Sequence, residues 1–175
     1  MTDETTARKV KLICGMISTD VSWFDMAESK LVAEFGPVDI SWPVMDFDFT
    51  DYYDSQTGSP LLRKFLAFEK LIFPDRLAGV KRKTNELETE LASRPDAPVP
   101  RPVNIDPGYL APSRLILASM KDFSHRICLD GGVYAEVTLL YNRGWQVLPW
   151  TFPDYGSGRY FEFLDSAREL LIKTL

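Results

Sequence analysis

Between Ser124 and Tyr141 two alternating runs flank Asp130-Gly131-Gly132, and one loop length alone lets both runs turn their apolar residues to a shared face. A three-residue loop sets Leu129 opposite Val133, Ile127 opposite Ala135 and His125 opposite Val137. Glycine at the end of such a loop supplies the positive φ of a bulge. The other face then pairs Arg126 with Glu136, Cys128 with Tyr134 and Ser124 with Thr138. A two-residue loop would place Ile127 and Leu129 on the face of Tyr134 and Glu136, so burial decides for three. The Arg126-Glu136 pair is a buried ion pair or a site if helices cover its face, and an ordinary surface pair if water does.

Short strands of the same kind surround this hairpin. Val103 to Ile105, Arg114 to Ser119 and Trp145 to Trp150 are bounded by turn signals at Pro107-Gly108 and Asn142-Arg143-Gly144, which predicts an antiparallel meander. Upstream, Val10 to Ser18 reads as a buried strand. Asp20 or Ser22 can cap a helix from Trp23 to Phe35, which Gly36-Pro37 ends. A second strand from Val38 completes a β-α-β opening with parallel strands. Two helices are expected next, Leu61 to Phe73 and Asp75 to Ser93, the latter with a stripe of Leu77, Val80, Thr84, Leu87 and Leu91. Four prolines between Arg94 and Pro102 mark a surface loop, and a last helix from Gly158 lays Phe161, Leu164, Ala167 and Leu171 on the sheet. The expectation is a flexible stretch over residues 1–9. It is followed by a single α+β domain over residues 10–175, with a mostly antiparallel mixed sheet.

The acidic balance excludes some partners. A formal net charge of -5 argues against duplex nucleic acid and against an anionic membrane, since both require clustered Lys and Arg. Lys81-Arg82-Lys83 is the one dense basic run, and on a helix it reads as solvated surface. Cys14 and Cys128 lie in apolar segments without metal or disulfide spacing, which suits buried thiols in a reducing cytoplasm. No secretory signal and no run of about 20 apolar residues is visible.

No phosphate-loop, dinucleotide, His-Glu-x-x-His or Cys-x-x-Cys motif occurs. What remains is a set of polar residues in unusual places. Asp46, Asp48, Asp51 and Asp54 alternate with aromatics, and oxygen ligands crowded on one loop suit a hard cation such as Mg²⁺, with Asp48 and Asp51 the metal candidates. Asp106 precedes Pro107-Gly108, a tight turn that would hold its carboxylate rigidly as a base or cation ligand, or simply form an Asx-turn. Lys121, His125 and Arg126 gather donors and a titratable ring able to meet phosphate or carboxylate. Trp150 to Tyr155 is either an aromatic wall with Asp154 and Tyr155 facing a ligand, or the lead into the last helix.

At these segments the chain resembles a bacterial and archaeal family known as domain of unknown function 4416. The resemblance lies in Phe49-Thr50-Asp51-Tyr52-Tyr53, Thr84-Asn85-Glu86-Leu87-Glu88, Val103 to Leu110, Lys121-Asp122, His125-Arg126-Ile127, Val133 to Leu139 and Trp150 to Tyr155. It implies that Asn85, Asp106, His125, Arg126 and Glu136 belong to the family pattern. Together the residues suggest a small-molecule site, binding or enzymatic, for a phosphorylated or carboxylated metabolite. In that site His125, Asp106 and Glu136 are the catalytic candidates, and Lys121, Arg126, Asn85, Asp154 and Tyr155 the ligand-binding ones. The alternative is a non-enzymatic interaction module or homodimer that uses exposed aromatics such as Tyr52 and Tyr53. RNA binding is disfavoured by the acidic balance.

Overall fold

The computed structural model of the chain describes residues 7–49 and 54–175. Along strand β1 (Lys11–Ser18) all eight residues are buried, so both of its faces must be covered. Leu12, Cys14 and Met16 point one way and Ile13, Gly15 and Ile17 the other, as the period of two requires. β1 therefore lies inside the sheet.

The remaining strands are β2 (Val38–Ser41), β3 (Met45–Phe47), β4 (Leu61–Phe68), β5 (Val103–Ala111), β6 (Arg114–Ser119), β7 (Arg126–Asp130), β8 (Val133–Tyr141) and β9 (Trp145–Val147). Their order is β2-β4-β1-β5-β6-β8-β7, with β3 also on β4 and β9 also on β8, and each of these pairings is antiparallel. The sheet joins strands from both sides of the Pro-rich segment, because β1 pairs with β5 from Lys11↔Leu110 to Ser18↔Val103.

Helices cover both faces. On one side α1 (Val21–Phe35) and α3 (Leu77–Ala92) bring Phe24, Leu31, Val80 and Leu91 against Leu12, Met16, Leu66, Phe68 and Ile105. On the other, α5 (Phe161–Thr174) buries Phe163, Leu164, Ala167 and Leu171 against Ile13, Phe65, Leu110 and Leu115. Full burial of such side chains stabilises by roughly 1.5–3 kcal/mol each, which makes these two layers the main source of stability. Two short helices, α2 (Asp54–Thr57) and α4 (Pro153–Gly156), complete the chain.

Several local expectations hold. Asp20 caps α1, its Oδ1 accepting from the Ser22 N–H at 2.8 Å. In the hairpin Arg126↔Glu136, Ile127↔Ala135 and Cys128↔Tyr134 pair as reasoned, but the register shifts between Cys128 and Asp130, so that Asp130 and not Leu129 faces Val133 and the turn is the two residues Gly131 and Gly132, both at positive φ, rather than three.

Four expectations are corrected. β1 and β2 do run parallel, each antiparallel to β4, but β4 lies between them. The segment from Leu61 is that strand rather than a helix; it is covered on both faces, so its apolar run lacks the alternation that marks a half-exposed strand. Asp106-Pro107-Gly108 makes no turn, because β5 runs straight through it, Pro107 opposite Cys14 and Gly108 opposite Ile13. The face of β7 that carries Ile127 and Leu129 is open rather than turned to a core. Ile127 is 72% exposed, whereas the Arg126-Glu136 pair on the other face is buried; Cys128, further along that same face, is exposed.

Candidate functional site

β5 is longer than its partnership with β6. The two strands pair only from Gly108↔Leu117 to Ala111↔Arg114, and β6 then turns to β8 alone. Gly108 sits where they part; a Cβ there would collide with the Ile116 carbonyl and the Leu117 side chain, so only glycine permits the approach. Below it, Val103 to Pro107 have β1 on one side and a gap on the other. Pro107, which has no N–H to give, falls just outside the β6 ladder.

An unpaired strand edge inside a protein needs partners for its backbone groups. α3 supplies them with side chains. Glu88 accepts from the Ile105 N–H at 2.6 Å, and Lys81 Nζ donates to the Ile105 carbonyl at 3.2 Å. Lys81 and Glu88 thus stand where β6 would have been. Lys81 Nζ also lies 3.5 Å from Asp106 Oδ1, and Asn104 Nδ2 donates to Asp106 Oδ2 at 2.5 Å. Arg101 returns from the Pro-rich segment to grip Glu88, both Nε and Nη2 donating to Oε2.

The far wall of the gap is built at the end of β6. Arg126 Nη1 donates to Ser119 Oγ at 2.9 Å and to the Lys121 carbonyl at 3.0 Å, while its Nε donates to Glu136 Oε2 at 2.8 Å. Glu136 is 1% exposed and has two further neighbours: His125 Nε2 at 2.8 Å and the Thr138 hydroxyl, which donates to Oε1 at 3.2 Å. The His125 ring stacks on Trp150 at 5.2 Å, with 13° between the planes.

A third wall comes from β4 and α4. Arg63 is buried among Phe47, Phe65, Tyr155 and Tyr160, all within 5.6 Å or less of its guanidinium carbon. Its Nη2 donates to the Tyr155 hydroxyl at 3.0 Å and lies 3.6 Å from Asp154 Oδ2, which also accepts from Tyr160. Among the described residues its Nε has no hydrogen-bond partner. Gly15 makes room for it: a Cβ there would come within 2.9 Å of Arg63 and Phe65.

Between the three walls is a cavity of about 540 Å³. Among the described residues, Arg63, Lys81, Arg101, Lys121 and Arg126 border it, together with the carboxylates Asp106 and Asp154. Burial pushes the Asp106 carboxyl up, but Lys81 and Arg63, the Asn104 hydrogen bond and Arg101 outweigh it and hold Asp106 below the ordinary carboxylate range. Glu88 goes the other way, raised by burial despite Arg101 and Lys81. The site thus presents an ionised carboxylate within a ring of cations, together with the amides of Asn85 and Asn104 and the Ser119 hydroxyl.

The structure brings six sequence candidates to this cavity: Asn85, Asp106, Lys121, Arg126, Asp154 and Tyr155. His125 and Glu136 stand behind Arg126 and do not border it; their contacts fix the arginine. Asp48 is at the surface, its Oδ1 accepting from Arg159 at 2.7 Å. Asp51, Tyr52 and Tyr53 lie outside the described residues, as does the N-terminal stretch 1–6. Among the described residues no three His, Cys, Asp or Glu side chains gather as a metal site would require.

Sequence reasoning missed Arg63, Lys81, Arg101 and Asn104. Arg63 was hidden by the helix expected at Leu61. Lys81 was grouped with its solvated neighbours, although it is 4% exposed. A signal existed, for Leu77, Lys81, Thr84, Glu88 and Leu91 repeat at four and three, so two charged residues fall on the buried stripe.

No curated protein and no solved structure matches the chain. No helix among the described residues is long and apolar enough to cross a membrane. Residues 8–171 of the 175 match the model of the family described as Domain of unknown function (DUF4416), and the chain belongs to that family.

Proposed function

We propose that this protein binds a small phosphorylated or carboxylated metabolite in the cavity at the split between β5 and β6. The observation that carries this reading is the convergence of five cations on one hollow in a chain of formal net charge -5. Glu88 and Glu136 hold Arg101 and Arg126 from behind and fix where their guanidinium groups point. Arg126 is the expected anchor. Its guanidinium is fixed by Glu136, Ser119 and the Lys121 carbonyl, so little conformational freedom is lost when it meets an anion. Mg²⁺ enters this reading as a companion of the ligand's phosphate, with Asp106 and Asp154 as the carboxylates at hand. A reducing cytoplasm suits the unpaired Cys14 and Cys128.

The test is thermal unfolding of the full chain in increasing phosphate or citrate, with chloride at matched ionic strength as control. A ligand at 100 times its Kd adds about 2.7 kcal/mol, a rise of roughly 5–10 °C for a domain of this size. Arg126→Gln should remove most of that rise. A flat response, or one that chloride reproduces, contradicts the proposal.

A second reading, a protein-interaction or homodimer surface, rests on the open edge at β7. Phe123 and Ile127 are 61% and 72% exposed there and Leu129 is exposed beside them. Sedimentation over a concentration range tests it, with Ile127→Lys expected to abolish any association.

A further inference from the structure

Building on the anion-site reading, we infer that the ligand is an amphipathic organic anion, one phosphate or carboxylate joined to a flat apolar body. The cations make up only part of the cavity wall. Ile17, Phe47, Phe49, Leu117, Met120 and Phe152 form an apolar part of it, gathered from four separate stretches of the chain. Met120 and Phe152 remain 46% and 43% exposed at the cavity, an arrangement that a hydrated polyol would leave unrewarded. The volume of about 540 Å³ is that of a site for a sizeable organic molecule, and one phosphate group would leave most of it empty.

Charged and apolar walls adjoin at Arg126. Its guanidinium carbon lies 5.8 Å from the Phe152 ring centre and 5.6 Å from that of Phe123, while its Nη1 is turned to Ser119 and Lys121. A head group held by Arg126 therefore has an aromatic surface next to it, into which a directly attached ring can extend. Phe47 and Phe49 present further aromatic surface, their rings 5.8 Å apart and tilted by 55°. Arg159 lies over Phe49 at 4.7 Å and is itself held by Asp48, so this side of the wall is braced from outside. Tilted and offset rings of this kind favour a flat aromatic guest over a hydroxylated one of equal size.

Three probes bearing the same head separate the possibilities: inorganic phosphate, ribose 5-phosphate and phenyl phosphate, each titrated calorimetrically into the full chain. Phenyl phosphate is expected to bind about tenfold tighter or better than either of the others, as burial of most of a ring implies. Phe152→Ala should pull that ratio towards one, and Met120→Ser should do so in part. Arg126→Gln should weaken phenyl phosphate strongly, which ties binding to this cavity. Equal affinity for the three probes, or a preference for ribose 5-phosphate, overturns the amphipathic ligand and leaves the anion site standing. Absence of saturable binding by all three removes both. Phenyl phosphate affinity that survives Arg126→Gln and Phe152→Ala unchanged places binding elsewhere and overturns the inference.

Discussion

Replacing Glu136 by Ala isolates the interaction that holds the Arg126 wall. Glu136 is 1% exposed and the Arg126 side chain 7%, so the substitution leaves a nearly buried guanidinium without its carboxylate. Removing one partner of a buried pair costs about 3–5 kcal/mol. Arg126 keeps the Ser119 hydroxyl and the Lys121 carbonyl and borders a cavity that water can enter, which sets the expectation at the lower end, about 3 kcal/mol. At 2–4 °C per kcal/mol for a chain of this length, Tm should fall by about 6–12 °C. Urea unfolding of the wild type, Glu136→Ala, Arg126→Ala and the double variant gives the coupling directly. A coupling above about 1 kcal/mol is expected. Replacement of both residues by apolar ones, Arg126→Met with Glu136→Leu, should recover much of the loss, since it leaves no uncompensated charge. A Glu136→Ala cost below about 1 kcal/mol, or additive single losses, would refute a buried pair as the support of this wall.

Gly108→Ala drives a methyl into the Ile116 carbonyl and should destabilise by about 1–3 kcal/mol or more in urea unfolding, because the neighbour it meets is backbone. Asp106 is held below the unfolded-state carboxylate value of about 3.9, so its contribution to stability is full at neutral pH and is lost as pH falls through that value towards the lower folded one. Asp106→Asn should therefore flatten the decline in stability measured between pH 5 and pH 3. Lys81→Met withdraws the donor from the Ile105 carbonyl and the cation from Asp106, and should cost about 1–3 kcal/mol by the same assay. Ile127→Lys, on the open edge, should stay within about 0.5 kcal/mol of the wild type.

What the sequence disclosed depended on whether local chemistry or tertiary context set each element. Asp20, Gly131 and Gly132 act on their own neighbours, and the α1 cap and the hairpin pairing from Arg126 to Cys128 could be read from the sequence, though not the shift that brings Asp130 opposite Val133. Leu61 to Phe68 is covered on both faces, which erases the period that separates strand from helix, and Arg63 disappeared with it. Pro107-Gly108 is ordinarily a turn; here Gly108 serves the close approach of β6 and Pro107 the gap beside it, a purpose visible only once the strands are in place. At the site, Lys121 and Arg126 stand out in the sequence around a strand start, and Asp106 beside its Pro107-Gly108 step. Those missed, Lys81 and Arg101, take their role from the orphaned edge of β5, and no local pattern announces that a strand partner is absent.

The cavity as an anion site is tested most directly by NMR of the arginine Nε–Hε signals during a phosphate titration. Saturable, single-site shifts are expected for Arg126 and Arg101, which border the cavity, with Arg63 responding from its aromatic enclosure. Shifts confined to surface residues such as Arg94 and Arg159, or a response that stays linear with phosphate and never saturates, would contradict the account.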